Sequence, residues 1–577
     1  MDGFSVREIP FSHRGSWLDL SPVVGLATYA DDLHLVSHRN GMHAVLSLVP
    51  VLGGGRVPAE VTADPAVLTW TAERGQVRAA FESPSAVRLS GRGLGLRIAA
   101  ADDTLTPFTG TYLFHDPVSS AHVFTSYETG HRYRVTVLAG QAHRSGAWSL
   151  GTAERAIVVG EDGGAWEVVL EELTTTREPV GVRAPFEDVV AATRRAFATF
   201  TDAVAPWRSD RTPAAELACY VLWSAVVDPS GFIGRPAVLM SKHWMDKVWS
   251  WDHCFTALAL AAGEPRLAWD QLQVVFDHQT AEGALPDSIT HAEVLYNFVK
   301  PPVHGWAVAR LRDRLPGGLP RTELAVLYHR LAAWTRFWLD HRRAPGEPLP
   351  HYEHGNDSGW DNSTVFHGAG AVQSADLSAF LVLQMRELAR LAWEGGDAVA
   401  ATRWTREAAA LQSELMSRLW NGSAFTSRAV GGTGSDGEPR TTASLLDLMP
   451  VVLGDQLPSA VRGVVTAGVA RHLTPVGLST ELTDSPAYEA DGYWRGPVWA
   501  PATVLVEDGL RRGGAVELAD DVSARFRALC EKSGFAENFD ALTGQGLRDR
   551  AYTWTAAAYL LLAGDAEGRR HLPTSRG

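Results

Sequence analysis

The spacing of apolar residues changes once along this chain, near residue 173, and the change separates two kinds of fold. Before it, short runs rich in β-branched and aromatic residues, such as "RYRVTVLAG" and "AWEVVLEEL", alternate with Gly, Pro and Asp. That pattern predicts an antiparallel β-sandwich over residues 1–173. Residues 174–184, within "TTTREPVGVRA", are predicted to form a linker, and the apolar period over residues 185–577 is helical.

Short segments that carry Trp or Asp recur in the helical part, just before or at the start of apolar helices, with amphipathic helices between them. Apolar helices belong inside a barrel and amphipathic ones outside it, so six such starts predict an (α/α)6 barrel with its loops gathered at one mouth. A helical solenoid is the alternative, although its repeats would resemble one another more closely in sequence. The six segments begin near Trp249, Val303, Ser374, Ser444, Tyr493 and Tyr552.

Composition excludes several classes of protein. The chain has 577 residues and a formal charge of −14, which argues against a nucleic-acid partner, because phosphates require a basic face. The N-terminal residues lack a secretory signal pattern and no apolar run approaches the ~20 residues of a membrane span, so we expect a cytoplasmic protein without a membrane partner. Three cysteines without paired spacing indicate neither a disulfide framework nor a zinc cluster. The oligomeric state is left open.

The stretch "DSGWDNST", residues 357–364, combines groups that suit a sugar. Trp360 offers a flat apolar face, and Asp357, Asp361 and Asn362 offer hydrogen-bonding groups beside it. A carboxylic acid held against an aromatic wall also tends to keep its proton near neutral pH. A surface turn around a buried Trp is the alternative interpretation of these eight residues.

Four segments at the predicted helix starts combine aromatic area with a carboxylate or a guanidinium, a mixture that a dry core avoids because unpaired buried charge is costly. Each has a structural alternative: Trp249 and Trp251 as core residues, Arg495 as a helix cap, Glu537 as a solvated charge. Together they favour a sugar site. The segments are "WSWDHCF" (249–255), "GWDNS" (359–363), "YWRGPVW" (493–499) and "AENFDALTGQG" (536–546).

In this order the segments resemble those of the inverting α-glycosidases of glycoside hydrolase family 63 and the related glucosylglycerate and mannosylglycerate hydrolases, and more distantly those of the family 37 trehalases. The resemblance covers about 217–563. It implies an exo-acting α-glycosidase, an α-glucosidase in the first place, that acts on a small α-linked saccharide or glucoside without a cofactor. It also implies that Asp361 is the catalytic acid and Glu537 the base.

Hydrolysis with inversion needs one protonated and one ionised carboxyl group. We expect Asp361, beside Trp360, to hold its proton, and Glu537 to stay ionised and to orient water. The resemblance implies that Asp252 accepts sugar hydroxyls and that several aromatic residues line the pocket. The predicted substrate-binding set is Trp251, Asp252, His304, Trp306, Trp360, Asn362, Tyr493, Trp494, Arg495, Gly496 and Trp499.

The chain departs from the trehalase pattern, because Trp494-Arg495 replaces the "WD" pair, which makes trehalose a poor candidate substrate. "LPDS" (285–288) and "KPPVHGWA" (300–307) are predicted to be additional mouth loops, from which His304 or Trp306 would reach the substrate. A structural role for His304 is equally open.

Two further motifs are set aside. "HYEHGND" (351–357) lacks the spacing of a helical zinc motif, so no metal is expected there. "GGTGSDGEP" (431–439) has no strand before it and no Lys after it, which favours a loop over a phosphate-binding turn.

Three other functions compete with hydrolysis. A glycoside phosphorylase would bind phosphate where Glu537 would repel it. A sugar epimerase would need a pair of central bases, and His278, His304 and His354 do not form an evident pair. A non-catalytic glycan-binding protein could keep every Trp but would have no need to combine Asp361 with Glu537.

Overall fold

The computed structural model describes residues 3–23, 29–146, 149–176, 181, 183–368, 370–430 and 438–571. The chain folds into two compact units. The first comprises Met1–Ala203, Cys219–Lys247 and Thr290–Glu293, and the second comprises Val204–Ala218, Val248–Ile289 and Val294–Gly577. The first unit therefore takes in segments that lie far beyond the predicted linker. Residues 177–180 and 182 of that linker, and 431–437 of the glycine-rich motif, lie outside the described residues.

The first unit contains two antiparallel eight-stranded sheets. In spatial order, one consists of Phe11–Ser12, Leu18–Val23, Tyr29–Ser37, His43–Leu52, Gly95–Ala100, Arg155–Val159 and Ala142–Gly146, with Gly55–Arg56 paired to His43–Leu52. The other consists of Thr111–His115, His122–Ser126, Arg132–Ala139, Trp166–Leu173, Ala86–Arg92, Gly75–Ser83, Leu68–Ala72 and Glu60–Ala63.

Both sheets contribute alternate residues to one apolar core, as the period of two along a strand requires. Leu46 and Leu48 come from one sheet, and Val87 and Leu89 from the other, and all four are buried in the same cluster. The antiparallel sandwich predicted from the sequence is therefore confirmed. The first helix, Phe186–Val204, packs its N-terminal turn on Ala66 and Ala80 of this unit.

The second unit is built on a closed ring of six helices, each in contact with the next and the last in contact with the first. Most of these helices are largely buried, as the interior of such a ring requires, although the C-terminal half of His304–Arg314 is rich in Arg. The fifth of the predicted starts, Tyr493, lies one loop before its helix, and the other five lie within three residues of theirs. The inner helices are Asp252–Leu260, His304–Arg314, Ala375–Glu394, Leu445–Gln456, Ala500–Arg512 and Thr553–His571.

Amphipathic helices pack around this ring: Pro265–Phe276, Arg321–His341, Ala398–Leu419, Ser459–His472 and Val516–Ser533. The ring confirms the (α/α)6 barrel rather than a solenoid. One inner element, Leu445–Gln456, has 3₁₀ geometry, contains Pro450 and is kinked at Gly454, whose φ of 58° and ψ of −126° are not helical. Within the described residues, no helix is long and apolar enough to cross a membrane.

Candidate active site

All four predicted segments lie at or just before the N-termini of inner helices or in the loops between them. Asp252 opens the first inner helix, and Trp499 immediately precedes the helix Ala500–Arg512. Glu537 adjoins a small hairpin, Asn538–Phe539 with Gly546–Leu547, that precedes the last inner helix. Successive inner helices of such a ring start at the same end, so residues distant in sequence converge there.

Asp361 follows a one-turn helix, Gly355–Ser358, that ends in a left-handed glycine. Gly359 has φ +72°, and a Cβ there would lie 2.6 Å from the Trp251 ring, so the backbone itself packs against that indole. Asp357 holds this turn in place by accepting hydrogen bonds from the Val299 amide (3.0 Å) and from Arg342 (3.0 Å). Asp357 is thus structural, and it fixes the turn that presents Asp361.

Burial raises the pKa of Asp361, and the positive charges of Lys300 and His354 oppose the rise only in part. This direction agrees with the expected proton on Asp361, because desolvation disfavours the carboxylate.

Glu537 is 2% exposed, and its amide donates to the Asp549 carbonyl at 2.7 Å. Burial raises the pKa of its carboxyl group to about 8, and the Asp549 and Asp361 charges add to the rise. Arg548 and a hydrogen bond with the Tyr493 hydroxyl oppose it. The expectation that Glu537 is readily ionised at neutral pH therefore does not match its environment, which is far drier than the polar "LTGQG" sequence suggests.

Indole rings form a continuous wall beside the two carboxyl groups. Trp494 lies at the centre: its ring is 4.1 Å from that of Trp499 and nearly parallel to it, at 5°. The Trp360 ring is 4.7 Å away on another side, and the Trp251 ring 6.3 Å away. Trp554, not singled out in the sequence, contacts both Trp251 and Trp499. All five indoles are buried, so contact between their faces and a sugar ring stays a prediction.

Asp252 is buried, and its Oδ2 atom accepts no hydrogen bond within the described part of the chain. Burial raises its pKa well above the ordinary value, with Lys300 opposing and Asp287 and Asp361 adding to the rise. Lys300 lies 3.1 Å from Asp287 Oδ1 and above the Trp249 ring. The N-cap of this helix is Trp251 and not Asp252, so helix capping does not account for the buried carboxyl group.

Asn362 joins the acid segment to the "YWRGPVW" segment. Its Oδ1 accepts from the Trp494 amide (2.9 Å), and its Nδ2 donates to the Gly492 carbonyl (3.0 Å). Gly496 has φ +155°, and a Cβ there would lie 2.2 Å from the Glu489 carbonyl oxygen, so only glycine fits. Arg495 pairs with Glu489 at 2.9 Å. These contacts give all three residues a role in shaping the loop, and substrate contact by them stays a prediction.

The structure does not bring His304 and Trp306 into this cluster. His304 is fully buried, and its Nε2 contacts the Ser250 carbonyl at 2.9 Å. Its ring packs on Phe276, and burial lowers its pKa to about 4. Trp306 donates from Nε1 to Asp508 at 2.8 Å. These contacts are those of core residues, and they support the structural alternative for His304.

Several residues near the two carboxyl groups escaped the sequence reasoning. Tyr552 lies close enough to Glu537 for the negative charge of that carboxylate to raise the pKa of its phenol. Lys300 lies inside a segment predicted as a mouth loop, but nothing in the sequence marks it as the partner of Asp287 and neighbour of Asp252. Arg548 has no sequence signal, since one Arg among "LRDRA" resembles any surface charge. Among the described residues, no group of His, Cys, Asp and Glu is arranged to hold a metal ion.

Comparison with known proteins places this site in context. Residues 245–555 match the family model of the mannosylglycerate hydrolase MGH1-like glycoside hydrolase domain. A mannosylglycerate hydrolase of Rubrobacter radiotolerans is 27% identical over 426 residues, which cover 57% of this chain and 93% of that protein. Mannosylglycerate hydrolase MGH1 of Selaginella moellendorffii is 25% identical over 393 residues, which cover 54% and 79%.

Solved structures show the same fold. A family 63 mannosylglycerate hydrolase of Thermus thermophilus in complex with glucose aligns with a TM-score of 0.50 and 23% identity, over 60% of this chain and 98% of that one. A bacterial glucoamylase in complex with acarbose aligns with a TM-score of 0.61 and 11% identity, over 98% and 95%. The glucoamylase alignment spans the β-sandwich as well as the barrel.

Proposed function

We propose, since this chain belongs to the mannosylglycerate hydrolase MGH1-like family of glycoside hydrolases, that it removes one α-linked hexose from the non-reducing end of a small glycoside, with inversion at the anomeric carbon. The observation that carries the proposal is the pair Asp361 and Glu537. Both carboxyl groups are desolvated, the charge of Asp361 contributes to the raised pKa of Glu537, and an indole wall lies beside them.

In the proposed reaction Asp361 gives its proton to the glycosidic oxygen as the bond from that oxygen to C1 breaks. Glu537 takes a proton from a water molecule whose oxygen forms the new bond to C1 from the opposite face. The products are the free β-hexose and the aglycone with its hydroxyl restored. Asp361 ends ionised and Glu537 protonated, and exchange with solvent resets both.

The surrounding residues orient the base and bind the hexose. The Tyr493 hydroxyl is hydrogen-bonded to Glu537 and orients its carboxyl group toward the water. Asp252 offers its unoccupied Oδ2 to the hydroxyls of the hexose, and the indoles support the ring face. Glucose is the first candidate hexose, and mannose the second, because the relatives of highest identity given above are mannosylglycerate hydrolases. We also propose a cytoplasmic location, where small glycosides of this kind would be available as substrates.

A substrate panel tests the proposal directly. The purified chain is incubated with α-glucosyl and α-mannosyl glycerate, α-linked glucose disaccharides and trehalose, each with and without phosphate. We expect phosphate-independent release of a hexose from at least one α-glycoside and little release from trehalose. Turnover that requires phosphate would instead identify a phosphorylase, and binding without turnover would identify a glycan-binding protein.

A further inference from the structure

Two residues at this site have a strained backbone. Among the described residues other than glycine, four have left-handed φ angles: Asn40, Ser120, Tyr493 and Arg548, with φ of 58°, 53°, 62° and 60°. The first two lie in the β-sandwich unit. The other two contact each other, with the Arg548 guanidinium carbon 4.9 Å from the centre of the Tyr493 ring. A glycine would adopt this conformation at no steric cost, so an arginine there suggests that its side chain is needed.

The side chain of Arg548 ties the base segment to the aromatic loop. Its Nη1 donates to Asn538 Oδ1 at 3.0 Å, on the residue next to Glu537. Its Nη2 lies 2.7 Å from Asp491 Oδ1 and donates to the Asp491 carbonyl at 3.3 Å. The planar guanidinium covers the Tyr493 ring between these two contacts. Arg548 thus adds a side-chain tie to the backbone bridge between Val498 and Phe539, which already joins the two segments that supply Tyr493 and Glu537.

The charges around Glu537 show why a cation matters there. Asp549 and Asp361 both disfavour its carboxylate form, and the phenols of Tyr493 and Tyr552 also face it. The Tyr493 hydrogen bond and the positive charge of Arg548 oppose burial and these two carboxylates, and both lower the pKa of Glu537. A general base must be ionised to accept a proton from water.

We propose that Arg548 is the positioning residue of the catalytic base: it holds the Tyr493 hydroxyl against Glu537 and places a positive charge that favours the carboxylate form of Glu537 over the protonated one. This inference rests on the proposed role of Glu537. Arg548 acts through Glu537 and Tyr493. A purely structural tie between Arg548 and Asp491 is the competing account, and the two differ in what happens to the ionisation of Glu537.

Arg548→Gly separates the two accounts, because glycine relieves the left-handed strain while it removes the cation. Ser120→Gly makes the same backbone change on an exposed loop of the other unit and is the matched control for stability. Asp491→Asn breaks the ion pair but leaves the guanidinium, and it is the control for a purely structural tie. Arg548→Lys keeps the charge without the planar fork.

Two measurements are made on each variant. The first is the titration of Glu537 by ¹³C NMR of protein labelled at the glutamate carboxyl carbon, with the resonance assigned by its loss in Glu537→Gln. The second is kcat/KM against pH on the best glycoside of the panel. In Arg548→Gly we expect the Glu537 titration and the acidic limb of the rate profile to move up by about one pH unit, the lower end of the effect of a nearby opposite charge.

We expect Arg548→Lys to retain most of the wild-type titration, and Asp491→Asn to leave it unchanged, while Arg548→Gly melts no lower than the wild type. An unchanged Glu537 titration in Arg548→Gly, or an equal shift in Asp491→Asn, would overturn the inference. A failure of the proposed function would give a different result, because the Glu537→Gln variant would then hydrolyse the glycoside at the normal rate. An inactive Glu537→Gln together with an unshifted Arg548→Gly refutes the positioning role alone.

Discussion

Replacing the base by its amide should make the protein more stable as well as inactive, and the gain should depend on pH. In the folded chain the pKa of Glu537 is raised from 4.5 to about 8, mainly by burial. Between these two values the native state binds a proton that the unfolded state has lost, so the stability of the wild type falls as pH rises through this window. Below pH 4.5 the group is neutral in both states and costs nothing.

The size of the effect follows from linkage. Each pKa unit corresponds to ~1.36 kcal/mol, so the difference between 4.5 and 8 costs about 5 kcal/mol above pH 8 and about 3 kcal/mol at pH 7. Glu537→Gln removes this cost but weakens the bond from the Tyr493 hydroxyl, a loss of about 1 kcal/mol. The expected net gain is about 2 kcal/mol at pH 7, or roughly 3 °C in Tm for a unit as large as the barrel.

Differential scanning calorimetry at intervals between pH 4 and pH 9 checks this expectation. The Tm difference between Glu537→Gln and the wild type should be near zero or slightly negative at pH 4 and should grow up to about pH 8. Glu60→Gln, which changes an exposed carboxylate of the other unit, is the control and should show no such growth. A Tm difference that is constant with pH, or a Gln variant that melts lower at pH 8, would refute the argument from burial.

Three further outcomes are expected. Asp361→Asn should lower kcat by a factor of about 10²–10⁴, the usual contribution of a positioned acid, with circular dichroism unchanged; near-normal turnover would remove Asp361 from the mechanism. NMR of the first product from an α-glucoside should show the β-anomer, and the α-anomer first would mean retention and a nucleophile in place of a base. Asp252→Ala should lower kcat/KM roughly ten- to a hundred-fold on every accepted glycoside, because a buried hydrogen bond to the hexose is lost; normal kinetics with a lower Tm would make Asp252 structural.

The sequence specified the fold well because fold class depends on local periodicity. Five of the six predicted helix starts lie within three residues of an inner helix, since apolar helices inside a barrel carry their own pattern. The extent of the first unit was not visible, because Cys219–Lys247 joins it through contacts between residues distant in sequence. The boundaries at residues 173 and 185 remain predictions.

The proposed catalytic residues of the candidate site could be predicted because sequence motifs identify them. Properties that depend on burial in the folded chain could not be predicted. The segments carrying Asp361 and Glu537 were found from their composition and family resemblance, and the structure brings them together. The dryness around Glu537 and the left-handed backbone of Arg548 depend on packing, which no single segment encodes. His304 shows the same limit in reverse, since its motif suggested a mouth loop and its surroundings are those of a core residue.

The ring of inner helices has a consequence for how the chain acquires activity. Its first and last helices meet at Trp251 and Trp554, whose ring centres are 5.9 Å apart although they are separated by roughly 300 residues of chain. Helices can form locally and early, but this contact requires the loss of chain entropy over almost the whole barrel. A nascent or partly refolded chain that lacks the last helix lacks Trp554 of the indole wall and the contacts of Trp554 and Thr555 with the Glu537 and Ala536 carbonyls. Recovery of turnover after denaturation should therefore lag behind recovery of helical circular dichroism.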